Sequence, residues 1–168
     1  MNKKLLYLFF LLSALTPLLL AQNNPYKIKD GLYAYYQQCT KNINNPRVLL
    51  MADTLFTRAG REGDQKAQCL AMYLECDYHY YKGDIRALMQ ANERLQKFAE
   101  RTPHQQYIFG CWGRLITLYI KERNFDAALA ECNAYQQKAI QLNNAYGIGS
   151  SYRILGKVYY AKQDKKTL

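Results

Sequence analysis

The side chains best suited to metal or nucleophile chemistry in this chain are two histidines, His79 and His104, and five cysteines, Cys39, Cys69, Cys76, Cys111 and Cys132. A zinc site or an activated thiol needs several such groups at short spacing, or an imidazole oriented by an acid. The cysteines show no CxxC spacing, and their odd number means that all five cannot pair within one chain. Cys39 and His79 stand 40 positions apart, which one repeat period would bring close, but neither a third ligand nor an orienting acid accompanies them. All five cysteines fall in helical patterns and read as small buried apolar residues, with one disulfide left open in an oxidising compartment. The chain has no glycine-rich phosphate loop, no GxSxG, no HExxH and no paired catalytic carboxylates. It therefore reads as a non-catalytic segment with no metal and no cofactor. What it has in quantity is tyrosine, 16 in all, a large apolar ring with a polar tip that suits recognition of another chain.

The elements that position these residues repeat. Leu32, Met72, Trp112 and Tyr152 form one column at a spacing of 40 residues; Cys39, His79, Tyr119 and Tyr159 form a second. Asn44, Asp84, Asn124 and Asp164 form a third, and Val48, Leu88, Ala128 and Leu168 a fourth. A fixed period of this length predicts stacked units rather than one closed core. Each unit reads as two helices joined by a tight turn. The units are expected at about 26–64, 65–102, 103–143 and 144–168, the last one truncated.

Unit one starts near Asp30, turns at Asn42 to Asn45 and opens its second helix at Pro46. Unit two turns at Lys82, Gly83 and Asp84, where Gly supplies a positive φ. In unit three Thr102, Pro103 and Gln105 predict a cap, a first-turn proline and a capping-box partner for a helix from Pro103 to Lys121. Asn124 makes the turn, and Ala128, Leu129, Cys132, Tyr135 and Ala139 space out a second helix from Phe125 to about Leu142. Unit four starts near Tyr146 and turns at Lys162 to Asp164.

Residues 1–21 are a different kind of text. Lys3 and Lys4 precede an almost unbroken apolar stretch from Leu5 to Leu20, and Ala21 precedes the polar Gln22, Asn23 and Asn24. This is the pattern of a secretory signal peptide cleaved after Ala21, leaving a helical domain at 22–168. Leu19 is a poor residue two places before such a site. The alternative is a retained anchor, but the 16 apolar residues are interrupted by Pro17 and fall short of the roughly 20 that a span needs. The chain is then exported, and periplasmic in a bacterium.

Loss of Lys3 and Lys4 lowers the formal net charge from +10 to +8. A basic chain raises the question of nucleic acid. Export and the scatter of Lys and Arg, apart from Lys162, Lys165 and Lys166, argue against it.

The run Trp112, Leu115, Ile116, Tyr119, Asn124, Phe125, Ala128 resembles the tetratricopeptide repeat signature. Tyr152, Leu155, Gly156, Tyr159 and Asp164 resemble it again one period later. The resemblance covers about Tyr26 to Leu168. It is weaker in units one and two, where Asn45 and Glu75 fall on usually apolar columns. The period exceeds the family's usual 34 residues and approaches that of HEAT or armadillo arrays, but the aromatic and small-residue spacing fits the tetratricopeptide pattern better. The resemblance implies an all-α antiparallel helix-pair solenoid of about three and a half repeats.

It also implies a concave binding face built by the first helices. On that face it places Tyr33 and Gln37; Tyr73, Asp77, Tyr80 and Tyr81; Thr117 and Lys121; and Arg153, Lys157 and Tyr160. Some members hold a peptide carboxylate with a cationic clamp, for which Lys121, Arg153 and Lys157 are candidates, although Gln37, Asp77 and Thr117 stand where the clamp wants Asn. The layout as a whole is similar to the exported input region of Bacteroides-type sensor histidine kinases. The expected function is thus a scaffold for a protein or peptide ligand. Its expected setting is the periplasmic part of a membrane-tethered signalling protein. The alternatives are a fragment of a sensor histidine kinase lacking its catalytic part and a free scaffold in envelope assembly. Because the pattern stops mid-unit at Leu168, a longer gene product and self-association through an uncapped last repeat are also expected.

The export reading is open to direct measurement. Mass spectrometry of the protein from an envelope fraction should find an N-terminus at Gln22, and an intact Met1 in the membrane would overturn it.

Overall fold

A computed structural model describes residues 24–163. The expected signal segment 1–21 lies outside the described residues, as do Asp164, Lys165, Lys166 and Leu168. The described chain is all-α. Its helices are α1 (Asp30–Lys41), α2 (Arg47–Arg61), α3 (Gln65–Lys82), α4 (Ile85–Ala99), α5 (Gln106–Lys121), α6 (Phe125–Gln141) and α7 (Ala145–Gln163). None of these is long and apolar enough to cross a membrane.

Each helix packs on the next in chain order. In addition α1 touches α3, α3 touches α5, and α5 touches α7, and no other helix pair among the described residues is in contact. The burial pattern keeps the 40-residue period seen in the sequence. Val48, Leu88 and Ala128 are buried at equivalent places on α2, α4 and α6; Leu55, Leu95 and Tyr135 follow two turns later, and Ala59, Ala99 and Ala139 one turn after that. Three- and four-residue steps put each set on one stripe of its helix. The alanines admit a neighbouring helix closely.

The turns share one device. A residue with left-handed φ is followed by a side-chain cap: Gly63 then Asp64, Gly83 then Asp84, Arg123 then Asn124, Asn143 then Asn144. Asp64 Oδ1 accepts from Ala67 N at 2.9 Å, Asp84 Oδ1 from Ala87 N at 2.9 Å, Asn124 Oδ1 from Ala127 N at 3.2 Å and Asn144 Oδ1 from Gly147 N at 2.8 Å. Each cap contributes about 1 kcal/mol.

Unit three departs from this device, and here the expected helix start is displaced. Position 103 is where Gly63 and Asn143 turn left-handed, and Pro103 cannot adopt a positive φ. His104, in the capping column, forms no side-chain cap. Thr102 is not an N-cap. Its hydroxyl donates to Ala99 O at 2.9 Å and accepts from His104 N at 3.1 Å, closing the end of α4. The helix therefore begins at Gln106 instead of Pro103, and half-buried His104 sits in the connection before it rather than in a first turn. In unit one no side chain caps α2; Asn45 instead closes a turn before it, its Oδ1 accepting from Arg47 N at 3.0 Å.

Glu75, on a usually apolar column, is matched from α4 by Arg94 Nη2 at 2.5 Å, with His79 Nε2 at 4.0 Å on its own helix. Tyr159 and Tyr152 share columns with buried Cys39 and Leu32 but are themselves exposed. Both lie on a face of α7 that no described helix covers. All five cysteines are free and buried.

Ala128 is wholly buried. Ala128→Trp should lower the thermal midpoint by the equivalent of about 1–3 kcal/mol or more, whereas exposed Glu93→Ala should leave it within error. Equal midpoints would place the close helix contact elsewhere.

Candidate functional site

The site is built from spacing on two helices. Tyr73, Asp77 and Tyr80 follow at four and three residues along α3, so they share a face. Tyr107, Gly110 and Arg114 do the same on α5. The two faces meet because Gly110 lacks a side chain: a Cβ there would lie 2.7 Å from Tyr73 Oη. Tyr73 can then lie across α5, with its ring edge-on to Tyr107 at 5.9 Å between centroids.

Arg114 closes the arrangement. Its Nη1 donates to Tyr73 Oη. Its Nε lies 2.6 Å from Asp77 Oδ1, a close ion pair whose N–H is not aligned on that buried oxygen. The guanidinium lies over the Tyr73 ring at 4.5 Å and reaches the Tyr80 ring at 5.7 Å. A planar cation serves here because it stacks and hydrogen-bonds at once.

Around this pair is a groove of about 570 Å³. Tyr36 of α1, Leu70, Tyr73 and Asp77 of α3, Gln106, Tyr107, Gly110 and Arg114 of α5, and Tyr146 of α7 line it. All four helices are odd-numbered. The remaining wall is Tyr26, which precedes α1. Its ring meets Tyr36 edge-on at 5.1 Å. The segment carrying it is held down by Lys29, whose Nζ donates to Glu62 O at 2.9 Å, and by buried Ile28.

The groove continues into a notch of about 230 Å³ that shares Tyr73, Gly110, Arg114 and Tyr146 with it and adds Thr117, Tyr135, Ser150, Arg153 and Lys157. A separate cleft of about 290 Å³ between α2 and α3 is lined by Leu49, Ala52, Phe56 and Met72. Its charged groups are Asp53 and Glu75, and Glu75 is already engaged by Arg94. The tyrosine groove has the greater volume and the convergent polar groups expected of a binding site.

Of the residues expected from the sequence, Tyr73 and Asp77 come together in the groove, and Thr117, Arg153 and Lys157 in the notch. Thr117 Oγ1 is occupied, donating to Gly113 O at 2.8 Å. Lys121 is apart from Arg153 and Lys157: its Nζ lies over the Tyr80 ring at 4.8 Å. Tyr81 packs edge-on to Tyr80 at 5.5 Å. Tyr33 is half-buried beside Tyr26, and Gln37 and Tyr160 are exposed; none of these three lines either cavity.

Arg114 carries the geometry, yet it is absent from that expected set. The signal was available. Arg114 is the one charge in a column whose other members are Ala34, Leu74 and Ile154. Tyr26, Tyr36, Tyr107 and Tyr146 fall on no concave position of the repeat, and only packing reveals them.

No family model, no curated protein and no solved structure matches this chain. The site is therefore read from its own chemistry.

Burial pushes the Asp77 carboxyl up to about 6, against the opposing pull of Arg114. Arg114 is disfavoured by burial but raised on balance by Asp77 and Tyr73. Burial also raises Tyr73 and Tyr107, so both stay neutral phenols. The folded chain thus holds a proton on Asp77 between pH 4 and 6 that the unfolded chain releases. Asp77 stabilises the fold most below its ordinary value of 3.8 and loses that contribution as pH rises through about 6. The stability of the wild type minus that of Asp77→Asn should therefore rise as pH falls from 7 to 4, by up to about 3 kcal/mol. Urea melts across that range test this; a difference independent of pH would mean that Asp77 titrates as it does in the unfolded chain.

Proposed function

We propose that this chain is a non-catalytic scaffold that binds an extended segment of another protein along the tyrosine groove. The observation that carries this reading is the groove itself: about 570 Å³, walled by Tyr26, Tyr36, Tyr73, Tyr107 and Tyr146, with Asp77 and Arg114 also lining it. Aromatic rings give contact area at small cost in side-chain freedom, and their hydroxyls pair with backbone groups of an extended peptide. A fixed ion pair on the groove floor offers both a donor and an acceptor for register.

In this reading the helices stack as antiparallel pairs in a tetratricopeptide-like solenoid of about three and a half repeats. The contacts of α1 with α3, α3 with α5 and α5 with α7 support it, since first helices side by side make an inner wall. The groove would be that wall. The charged start and apolar stretch of residues 1–21 support export to the periplasm. There the scaffold would serve as the sensory part of a membrane-tethered signalling protein.

Random peptides displayed on phage should yield ligands for the full chain. Tyr146 lines both cavities and is 55% exposed, so Tyr146→Ala should leave the melt unchanged and weaken selected peptides about tenfold. Tyr160 is 70% exposed and lines neither, so Tyr160→Ala should bind as the wild type does. Equal binding by the two variants would move the site out of the groove.

A further inference from the structure

The notch at the α7 end of the groove has a chemistry of its own. Tyr146, Ser150, Arg153 and Lys157 follow one another at four, three and four residues and form one stripe of α7. Arg153 and Lys157 are like charges one turn apart, an arrangement that destabilises a helix unless an anion relieves it. Neither has an ion-pair partner among the described residues, and both are exposed. Among the described residues no carboxylate lines the notch. Asp77 lies in the adjoining groove and is engaged by Arg114.

The opposite wall is cleared by Gly110 and Gly113 of α5. A Cβ on Gly113 would lie 3.1 Å from Ile154 Cδ1. Tyr135, from α6, also lines the notch. It is 1% exposed, and its hydroxyl is buried with no hydrogen-bond partner. That hydroxyl lies against Ser150 without a hydrogen bond of normal geometry, and the charge of Arg153 reaches it. A buried orphan hydroxyl costs about 1–3 kcal/mol, so the structure keeps an unused donor beside two unpaired cations.

We propose that this notch is a binding site for a phosphate group. Arg153 and Lys157 supply charge-assisted donors and Ser150 a hydroxyl on the same stripe of α7, and Tyr135 supplies a hydroxyl donor from α6. Donors spread over two helices suit a group with three outward oxygens better than a planar carboxylate. The inference does not rest on the peptide reading, because inorganic phosphate alone tests it.

Amide NMR spectra of the full chain, titrated with inorganic phosphate at constant ionic strength, decide the matter. Saturable shifts should appear at Ser150 to Lys157 and at the Trp112 indole, whose ring lies 5.7 Å from that of Tyr135. Acetate should bind at least tenfold more weakly and chloride should give no saturable shift. Arg153→Gln and Lys157→Gln should each weaken phosphate about tenfold. Tyr135→Phe keeps the ring packing; it should weaken phosphate several-fold without lowering the melting midpoint. Shifts that are equal for phosphate and acetate, or phosphate binding that is unchanged in the two glutamine variants, would overturn the proposal.

Discussion

The close approach of each even-numbered helix to its neighbours is the constraint on which the rest depends. It is set by small or compact side chains at fixed places: Ala59, Ala99 and Ala139 near the helix ends, Ala128 in the first turn of α6 and Cys132 midway along it, all buried. A helix touched only by its near neighbours in the chain has no distant core to rescue a misfit. The stripe must therefore be right in every unit, and the 40-residue period of burial follows. Bulk is placed where the gap is wider, as at Leu55, Leu95 and Tyr135. The same rule explains five buried cysteines with no disulfide: a thiol is a small apolar filler in a close-packed interior.

Against that background the groove is a deliberate departure. Two charges, Asp77 and Arg114, sit largely removed from water with their ion pair misaligned. A buried pair of this kind is weak evidence of stability, since desolvation offsets much of the attraction. Apolar residues such as Leu74 and Ile154 occupy the arginine's column in adjacent units and are buried there. The packing thus accepts a hydrocarbon side chain at this place, and a charge is present anyway. An Asp77 carboxyl made less acidic by burial, a tyrosine held by hydrogen bond and stacked rings all converge on the same arginine. These are the marks of a site whose polar groups are arranged for something other than holding the fold.

Much of the fold was legible because its signals are local. Asp84 and Asn124 cap helices at the places their column assigns. Gly83 turns left-handed as expected, and α6 starts at Phe125. Where local signals competed, the reading failed. Thr102 and Pro103 look like a helix start by type, yet the left-handed turn that unit three needs at position 103 is closed to proline, and the helix starts three residues later. Tyr152 and Tyr159 share columns with buried Leu32 and Cys39, but a column is interior only where another helix lies over it. The groove was legible in part. Tyr73 and Asp77 follow from repeat geometry. Tyr36 does not, because it falls off the concave columns, and Tyr26 does not, because it precedes α1 in a segment that Lys29 ties to the α2–α3 corner.

The lesson of Arg114 concerns how a repeat should be read for function. Columns of like residues report what stacking requires, and their consensus is blind to ligands. Function enters where one unit breaks the column and the packing still closes. Asn92 and Arg114 each break a column that is apolar in the neighbouring units. Asn92, between Ala52 and Cys132, is buried with an unpartnered carbonyl oxygen, and it lines neither the groove, the notch nor the cleft between α2 and α3. Arg114, between Leu74 and Ile154, opens onto both the groove and the notch. The type of break is the same in both cases, and access distinguishes them. A polar misfit sealed in the interior can act only on the fold. A misfit that faces a cavity, with aromatic walls on one side and unpaired cations on the other, can act on a ligand.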